Sequence, residues 1–268
     1  GSIQLCNYIR NKGVKLVISP NLWVTTETRW KYPHEDIYRL VEIADLVVVN
    51  SQLEADALGE VYNLPPSRFH VVYNGVESAF LAPADAKDFR TWAGLGNCRY
   101  LLNVANVEER KNQLAFLEVL AHQPDLKLVV VGHARDAAYV EACQKIGGER
   151  FLHVGALEYE SYLLRSAIAG AEAFVMPSML ETPSIAALEA AAMGCRLLVT
   201  DVGSTKEYFG EDAIYINPAS FESMREGLEQ VLMAENGHLQ NRVRSLFMWE
   251  GVVDELERAY DRVCMGDS

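Results

Sequence analysis

Nine short apolar runs rich in β-branched residues alternate with segments of helical periodicity, and this alternation constrains the fold of the 268-residue chain more than any other feature. The predicted strands are 14–19, 46–50, 69–73, 100–105, 126–131, 151–154, 173–176, 196–200 and 213–216. Most are followed by a segment with apolar positions spaced by three and four, as in helices that connect parallel strands. The pattern predicts an α/β fold with parallel sheets buried on both faces.

The composition changes once along the chain, at the small-residue, Pro-containing stretch 77–87 (ESAFLAPADAK). We predict a first Rossmann-like domain at 1–83, a second at 84–247 and a C-terminal helix at 248–268 that packs back on the domains. Three strands are too few to cover both faces of a doubly wound sheet, so we expect the first domain to be incomplete. Its remaining strands would lie upstream, or the uncovered faces would drive self-association.

Acidic residues outnumber basic ones, with 37 Asp and Glu against 24 Lys and Arg and a formal net charge of −13. This balance disfavours nonspecific nucleic-acid binding. No apolar run approaches the roughly 18 residues of a transmembrane segment, and the five dispersed cysteines contain no CxxC pair. We expect a cytoplasmic protein, with peripheral association with the inner face of a membrane as an open alternative.

The most informative segment is 176–194 (MPSMLETPSIAALEAAAMG), where a loop joins a predicted strand to an Ala-rich helix. Thr182 is the predicted N-cap, Pro183 the first helical residue and Gly194 the residue that follows the helix. The free N–H groups and positive dipole of a helix start at the carboxyl end of a parallel strand favour phosphate or diphosphate binding.

Glu181 and Glu189 have seven residues between them, a separation of about 12 Å along a helix. That distance suits two ends of one elongated ligand and not a proton shared by two carboxylates. Alternatively, Glu181 is a residue favoured by the helix dipole and Glu189 faces solvent. The buried stripe predicted beside Glu189 consists of Ile185, Leu188, Ala191 and Ala192.

The segment 177–210 (PSMLETPSIAALEAAAMGCRLLVTDVGSTKEYFG) resembles the E-x7-E region of retaining family 4, or group 1, glycosyltransferases of the GT-B fold. Other segments arrive in the order of that family: 44–58 (ADLVVVNSQLEADAL), 74–76 (NGV), 106–112 (NVEERKN), 128–133 (LVVVGH), 154–167 (VGALEYESYLLRSA) and 249–260 (WEGVVDELERAY). The resemblance implies two Rossmann-like domains, the first on the acceptor side and the second binding the donor.

The same resemblance implies that Glu181 contacts the donor sugar, Glu189 the nucleotide ribose and Lys111 the diphosphate. A cation suits that last position because the leaving diphosphate gains negative charge. The distal phosphate would be held by backbone amides of Thr182, Ser184 and Ile185. The implied donor-binding set is Asn106, Arg110, Lys111, Gly132, His133, Ala156, Leu157, Glu181, Thr182, Pro183, Ser184, Ile185 and Glu189, with Glu181 and Lys111 as catalytic residues.

The sequence departs from the family pattern at three places. Asn106 stands where the family has an arginine, although the neighbouring Arg110 could reach the same phosphate. Residues 181–185 read ETPSI where the family has EGFG. Side chains in place of glycines narrow the space in which a ligand can approach the backbone. Asn21 occupies roughly the place of the histidine that the family has in the first domain. Alternatively, Arg110 and Lys111 belong to a solvated helix start, and His133 is assigned no acid–base role.

We therefore expect a retaining transferase that moves a hexose from a nucleotide diphosphate sugar to a carbohydrate or lipid-linked hydroxyl acceptor, in polysaccharide or glycoconjugate synthesis. No metal or other cofactor is expected, since the sequence contains no Asp-x-Asp pair and a helix N-terminus with Lys111 can replace a divalent ion. Two alternatives are a nucleotide-sugar 2-epimerase and a non-catalytic nucleotide-sugar-binding module. A nicotinamide dehydrogenase is disfavoured because no GxGxxG follows a predicted strand.

Overall fold

The computed structural model describes residues 2–26, 33–235 and 237–265. The strands are β1 (Val17–Ile18), β2 (Leu46–Val49), β3 (Phe69–Val71), β4 (Arg99–Val104), β5 (Leu126–Val131), β6 (Phe151–Gly155), β7 (Ala173–Met176), β8 (Leu197–Thr200) and β9 (Ile214–Ile216). The helices are α1 (Ser2–Asn11), α2 (His34–Ile43), α3 (Gln52–Tyr62), α4 (Ala86–Trp92), α5 (Gln113–Leu120), α6 (Ala137–Gly147), α7 (Tyr162–Ala169), α8 (Ile185–Ala192), α9 (Thr205–Phe209), α10 (Phe221–Met233), α11 (Leu239–Leu246) and α12 (Trp249–Met265). All nine predicted strands are confirmed, with shorter bounds at several ends.

The chain forms two compact units, a first unit of residues 1–75 and 249–268 and a second unit of residues 76–248. The stretch 76–83 belongs to the second unit, whereas the sequence placed it before the boundary. Val76 explains this assignment, because its N–H donates to the carbonyl of Phe247 at 2.8 Å and it forms a β-bridge with Met248. Phe80 is fully buried in the same unit.

In the first unit, β1, β2 and β3 form a parallel sheet in that order. Alternate residues of a strand face opposite sides of a sheet, and Val47 and Val49 accordingly pack with residues of α2 and α3. Leu46 and Val48 pack instead with α12. Neither face of β2 is therefore bare, because α12, remote in sequence, covers the second face.

The apolar face of α12 differs from the one that a regular spacing of four residues selects. That spacing gives Val252, Leu256 and Tyr260, but Tyr260 is 49% exposed. The buried positions are Val252, Ala259 and Val263, with Leu256 packed beside them. At 3.6 residues per turn, each step of four residues advances about 40° around the helix axis. The third residue of such a series, Tyr260, therefore lies outside the interface that the first residue faces.

In the second unit, six parallel strands lie in the order β6-β5-β4-β7-β8-β9. The chain runs outward from β4 through β5 to β6, returns to the centre at β7 and runs outward again through β8 to β9. The strand order therefore reverses between β4 and β7, which pair through Leu101 with Ala173 and Leu102 with Phe174. Open parallel sheets bind ligands beyond the carboxyl ends of their strands at such a reversal.

Candidate donor site

The predicted donor-binding residues all lie in the second unit, in the loops that follow β4, β5, β6 and β7 and in helix α8. Asn106, Arg110 and Lys111 follow β4, Gly132 and His133 follow β5, Ala156 and Leu157 follow β6, and residues 181–185 follow β7. Because the strands are parallel, these loops lie at one edge of the sheet. The loops after β4 and β7 flank the reversal of strand order.

The first turn of α8 begins later than predicted. Its N-cap is Ser184, whose hydroxyl accepts a hydrogen bond from the N–H of Ala187 at 3.2 Å, and the helix starts at Ile185. Thr182 caps no helix because the bridge between Glu181 and Gly203 keeps the chain extended beside the loop after β8. Within the described residues, the N–H groups of Thr182, Ser184 and Ile185 donate to no other group, so they remain available to an anion. Ile185 is 42% exposed and lies outside the buried stripe predicted for it.

The carboxyl end of α8 agrees with the sequence. The N–H of Gly194 donates to the carbonyl of Ala191 and the N–H of Cys195 to that of Ala190, each at 2.9 Å. This pair of bonds is a Schellman motif closed by glycine, and it confirms Gly194 as the residue that follows the helix.

Two glycines allow close approach of the backbone at the site. A Cβ on Gly203 would lie 2.0 Å from the carbonyl oxygen of Glu181, and one on Gly132 would lie 2.0 Å from that of Ala105. Glu181 and Gly203 form a parallel bridge, in which the Glu181 N–H donates to Val202 and its carbonyl accepts from Ser204. The backbone of Glu181 is thus fixed against the loop after β8.

Lys111 and Glu181 form an ion pair across the reversal of strand order. The Lys111 Nζ donates to the Glu181 Oε1 at 2.6 Å, and the two side chains are only 12% and 7% exposed. Lys111 comes from the loop after β4 and Glu181 from the loop after β7. The structure therefore brings the two predicted catalytic residues together, and Lys111 is not a solvated residue.

Arg110 and Asn106 lie in the same loop but are held differently. The Arg110 guanidinium contacts the carbonyl of Leu180 at 3.5 Å and Glu108 at 3.2 Å, and its side chain is 54% exposed. Its carbonyl also accepts from the N–H of Met179 at 3.0 Å. The cation of Arg110 therefore lies beside the segment that contains Glu181, whereas Asn106 offers a polar but uncharged side chain.

Glu189 lies in α8 with only 4% of its surface exposed, so the alternative of a solvent-facing residue is wrong. Burial is the larger cause that raises its pKa to about 8, and the negative charge of Glu160 contributes. Its carboxyl group makes no hydrogen bond within the described residues. Near neutral pH a carboxyl group of this kind is largely protonated, and it can both donate to and accept from a diol.

The loop after β6 contributes residues that the sequence argument did not select. Burial, followed by the charges of Glu189, Glu160 and Glu77, raises the pKa of Tyr159 to about 12. Its ring packs against buried Phe80 at 6.0 Å, while 56% of the residue is exposed. Glu160 has a positive φ of 57°, a local strain that the sequence does not reveal.

The predicted backbone contacts after β5 and β6 remain open to solvent. His133 and Ala156 are exposed and Leu157 is half-buried. The carbonyl of His133 accepts from the N–H of Val107 at 2.9 Å, which ties the loop after β5 to the loop after β4. The Gly132 N–H donates to the carbonyl of Gly155 at 3.0 Å, which joins the loops after β5 and β6.

A buried polar network that sequence reasoning missed anchors the loop after β4. Asn103 donates to the carbonyl of Val175 at 2.7 Å, and Gln113 donates to Asn103 at 3.1 Å and to the carbonyl of Asn106 at 2.9 Å. Asn103 and Gln113 are fully buried. Burying an amide without a partner is unfavourable. The sequence signal for this network was therefore Asn103, a polar residue within an otherwise apolar stretch of β4.

Asn21, which stands near the place of the family histidine, lies in the first unit after β1. It has a positive φ of 46° and its Oδ1 accepts from Asn50 at 2.6 Å. Glu54 lies nearby, buried, and accepts from the N–H groups of Leu22 and Asn50 at 2.9 and 2.7 Å. These bonds give Asn21 a structural role in its loop.

In residues 2–26, 33–235 and 237–265, no cluster of three or more His, Cys, Asp or Glu side chains could hold a metal ion. No helix in these same ranges combines the length and apolar character needed to span a bilayer. A cavity of about 680 Å³ lies at the opposite, amino end of the sheet, lined by residues that include Arg99, Lys127 and Arg150. We assign the site by its chemistry and its position at the strand reversal, and not by cavity size.

Two curated proteins with similar sequences are named as a sugar-phosphate synthase and an inositol-phosphate glycosyltransferase. The chain is 31% identical over 180 residues to an alpha-maltose-1-phosphate synthase of Mycolicibacterium smegmatis, covering 62% of this chain and 46% of that protein. It is 23% identical over 248 residues to a D-inositol 3-phosphate glycosyltransferase of Mycobacterium ulcerans, covering 85% of this chain and 52% of that protein. The chain thus spans about half the length of these relatives.

Among solved structures, HepE of Anabaena in complex with UDP superposes with a TM-score of 0.83 at 16% identity, covering 97% of this chain and 75% of that one. This likeness confirms the α/β fold of GT-B type with two Rossmann-like domains. A family model described as glycosyl transferases group 1 matches residues 87–245, and one described as Glycosyltransferase Family 4 matches residues 3–80. The chain belongs to the group 1 glycosyltransferases.

Proposed function

We propose that the protein is a retaining glycosyltransferase that moves a hexose from a nucleotide diphosphate sugar to a hydroxyl acceptor. The observation that carries this proposal is the buried Lys111–Glu181 ion pair at the reversal of strand order, 2.6 Å long. It combines with an unpaired, buried Glu189 in the helix that follows. One cation for a diphosphate and two acidic groups for hydroxyls are the groups that such a donor requires.

The second unit would bind the donor. Lys111 would take the diphosphate, and the free N–H groups at the start of α8 would hold its distal phosphate. Arg110 would add a second cation from its position beside Leu180. As the bond between the anomeric carbon and the diphosphate oxygen breaks, these groups stabilise the charge that develops on the leaving group.

The two glutamates would orient the rest of the donor. Glu181 would accept hydrogen bonds from hydroxyls of the sugar, and Glu189 would bind the ribose diol. The exposed backbone near Gly132, His133, Ala156 and Leu157 would contact the nucleoside. We assign no enzymic nucleophile: the acceptor oxygen would attack the anomeric carbon from the face that the diphosphate leaves, and its proton would pass to the departing phosphate oxygen.

The first unit would contribute to the acceptor side, with a carbohydrate or lipid-linked acceptor. The names of the two curated relatives support transfer to, or synthesis of, phosphorylated sugars and cyclitols. The HepE complex with UDP supports a nucleotide donor. The five free cysteines support a cytoplasmic location, and a role in polysaccharide or glycoconjugate synthesis is part of the same proposal.

Product analysis tests this function most completely. UDP-glucose, GDP-mannose and ADP-glucose are each incubated with simple glycoside and inositol acceptors, with Lys111→Ala as the matched control. Release of nucleoside diphosphate together with an α-linked product, resolved by NMR, is the expected result. Conversion of the donor to its 2-epimer would favour an epimerase, and tight binding without turnover would favour a binding module.

A further inference from the structure

The Lys111–Glu181 ion pair has a consequence for which ligands the site accepts. Among the described residues, the Lys111 ammonium and the Glu181 carboxylate make no other hydrogen bond or ion pair with their side chains. Both side chains are nearly buried, so each depends on the other for compensation of its charge. A ligand that binds one of them must leave the other without its partner unless the ligand replaces it.

The backbones of both residues are fixed, so the exchange of partners is confined to side chains. Glu181 is bonded on both sides to the loop after β8, where Gly203 leaves no space for a Cβ. The Lys111 N–H donates to the carbonyl of Glu108 at 2.9 Å, and the following Asn112 is held by a 2.9 Å bond from its Nδ2 to the carbonyl of Pro218. Lys111 can therefore turn toward a diphosphate, while Glu181 stays in place.

We propose that this pair makes the site select a nucleotide sugar over the bare nucleoside diphosphate. The inference rests on the proposed function. A diphosphate has only acceptor oxygens, so it can draw Lys111 away but cannot compensate Glu181, which it also repels. The hydroxyls of an attached sugar donate hydrogen bonds to the freed carboxylate. The loss of charge compensation at Glu181 therefore opposes binding of the nucleoside diphosphate, the product, more than binding of the nucleotide sugar, the substrate.

The neighbouring cation does not remove this penalty. The Arg110 guanidinium is engaged by Leu180 and Glu108. Helix α8 supplies N–H donors to the phosphate and leaves Glu181 unchanged. Discrimination between substrate and product thus depends on Glu181 itself.

Calorimetry on the whole chain tests the inference with three pairs of probes: UDP and UDP-glucose, GDP and GDP-mannose, and ADP and ADP-glucose, without acceptor. For the pair that the wild-type protein binds, the sugar form is expected to bind more tightly. Glu181→Gln is expected to strengthen binding of the bare diphosphate by about tenfold, because Lys111 is no longer held by a carboxylate. The preference for the sugar form should shrink by the same factor.

Glu189→Gln is the matched control, since it alters a contact that both members of a pair share and should leave their ratio unchanged. Glu181→Asp, which keeps the charge but shortens its reach, should shrink the ratio partway and covers the case in which Glu181→Gln does not fold. A ratio that stays at the wild-type value in both Glu181 variants would overturn the inference while leaving the proposed function intact. Failure of the wild-type protein to bind any probe would overturn the proposed function itself.

Discussion

Glu189 shows how burial changes the chemistry of a single residue. Glu189 is the fifth residue of α8, beyond the first turn in which backbone N–H groups favour a negative charge. Burial and the charge of Glu160 raise its pKa to about 8. A neutral acid beside a cationic phosphate site binds hydroxyls without adding a second negative charge against the ligand.

The raised pKa of Glu189 predicts a pH-dependent gain in stability for Glu189→Gln. The unfolded chain ionises this carboxyl near pH 4.5, whereas the folded protein does so near 8, so the wild-type protein loses stability as the pH rises between these values. The free energy of unfolding of the variant should exceed that of the wild type by an amount that grows by up to about 1.4 kcal/mol per pH unit in this window and then stays constant.

Urea denaturation at pH 5, 6.5 and 8 measures this difference. Glu141→Gln, at an exposed position of α6, is the matched control and should show no growth with pH. A difference between Glu189→Gln and wild type that is the same at all three values would contradict the assigned pKa.

Lys111→Ala should weaken binding of nucleoside diphosphates far more than binding of nucleosides, because Lys111 compensates phosphate charge. We expect a loss of roughly 1.5–3 kcal/mol for UDP or GDP, the range for a hydrogen bond to a charged group. Calorimetry on Lys145→Ala, an exposed position of α6, provides the control. Equal losses for nucleoside and diphosphate would mean that Lys111 supports the fold and not the ligand.

The residues of the site were predictable only where a local pattern marks them. The spacing of Glu181 and Glu189 and the charge of Lys111 are visible in the sequence. The contact between Lys111 and Glu181 depends on the adjacency of β4 and β7, and no local pattern reports which strands are neighbours. The proximity of Glu160 to Glu189 likewise follows from tertiary packing.

Helix α8 shows the difference between a local signal and the element that forms. Thr182-Pro183 is a good helix start on statistical grounds, but the bridge from Glu181 to Gly203 keeps the chain extended and moves the cap to Ser184. The shift leaves Thr182 and Pro183 in the loop before the helix, where Thr182 offers a backbone N–H and Pro183 has none. Element boundaries of this kind depend on a partner loop that lies 22 residues away in sequence, from Glu181 to Gly203.

Ser184→Ala should lower the free energy of unfolding by about 0.5–2 kcal/mol, since it removes the bond to the N–H of Ala187. Thr182→Ala should change it far less, because Thr182 caps no helix in the structure. Parallel denaturation curves compare the two variants. If Thr182→Ala proved the more damaging, the helix would begin where the sequence pattern placed it.

Gly203→Ala should destabilise the loop that fixes Glu181 and weaken donor binding. Its Cβ would meet a carbonyl oxygen at 2.0 Å, and overpacking against backbone costs about 1–3 kcal/mol. Gly94→Ala is the control, because Gly94 also has a positive φ but has no atom within 4 Å of a new Cβ. Thermal unfolding should show a larger loss for Gly203→Ala, and similar losses would mean that backbone strain alone is responsible.

For the molecule as a whole, the sequence pattern predicts the class of fold well because each buried strand is marked in the sequence by a short run rich in β-branched residues. The two units are less predictable. Helix α12 follows the second unit in sequence, yet it packs on the sheet of the first through Val252, Ala259 and Val263. The sequence shows an amphipathic helix but not which sheet offers the matching apolar face.

Ala259→Asp tests this packing. Ala259 is fully buried against the three-stranded sheet, and a charge placed there without a partner should destabilise the first unit by several kcal/mol, on the order of the largest single-substitution effects. Val253→Asp, on the exposed side of the same helix, is the control. Hydrogen exchange should show lost protection in residues 46–49 for Ala259→Asp only; equal effects would place α12 elsewhere.

We propose that the loops at the β4–β7 reversal bind a nucleoside diphosphate through Lys111 and the start of α8, without a metal ion. Calorimetric titration of the wild-type protein with UDP, GDP and ADP, each with and without EDTA, measures this binding. We predict saturable binding of at least one of the three with the same dissociation constant in both buffers. Binding that disappears on addition of EDTA, or no binding of any of the three nucleotides, would rule out this site.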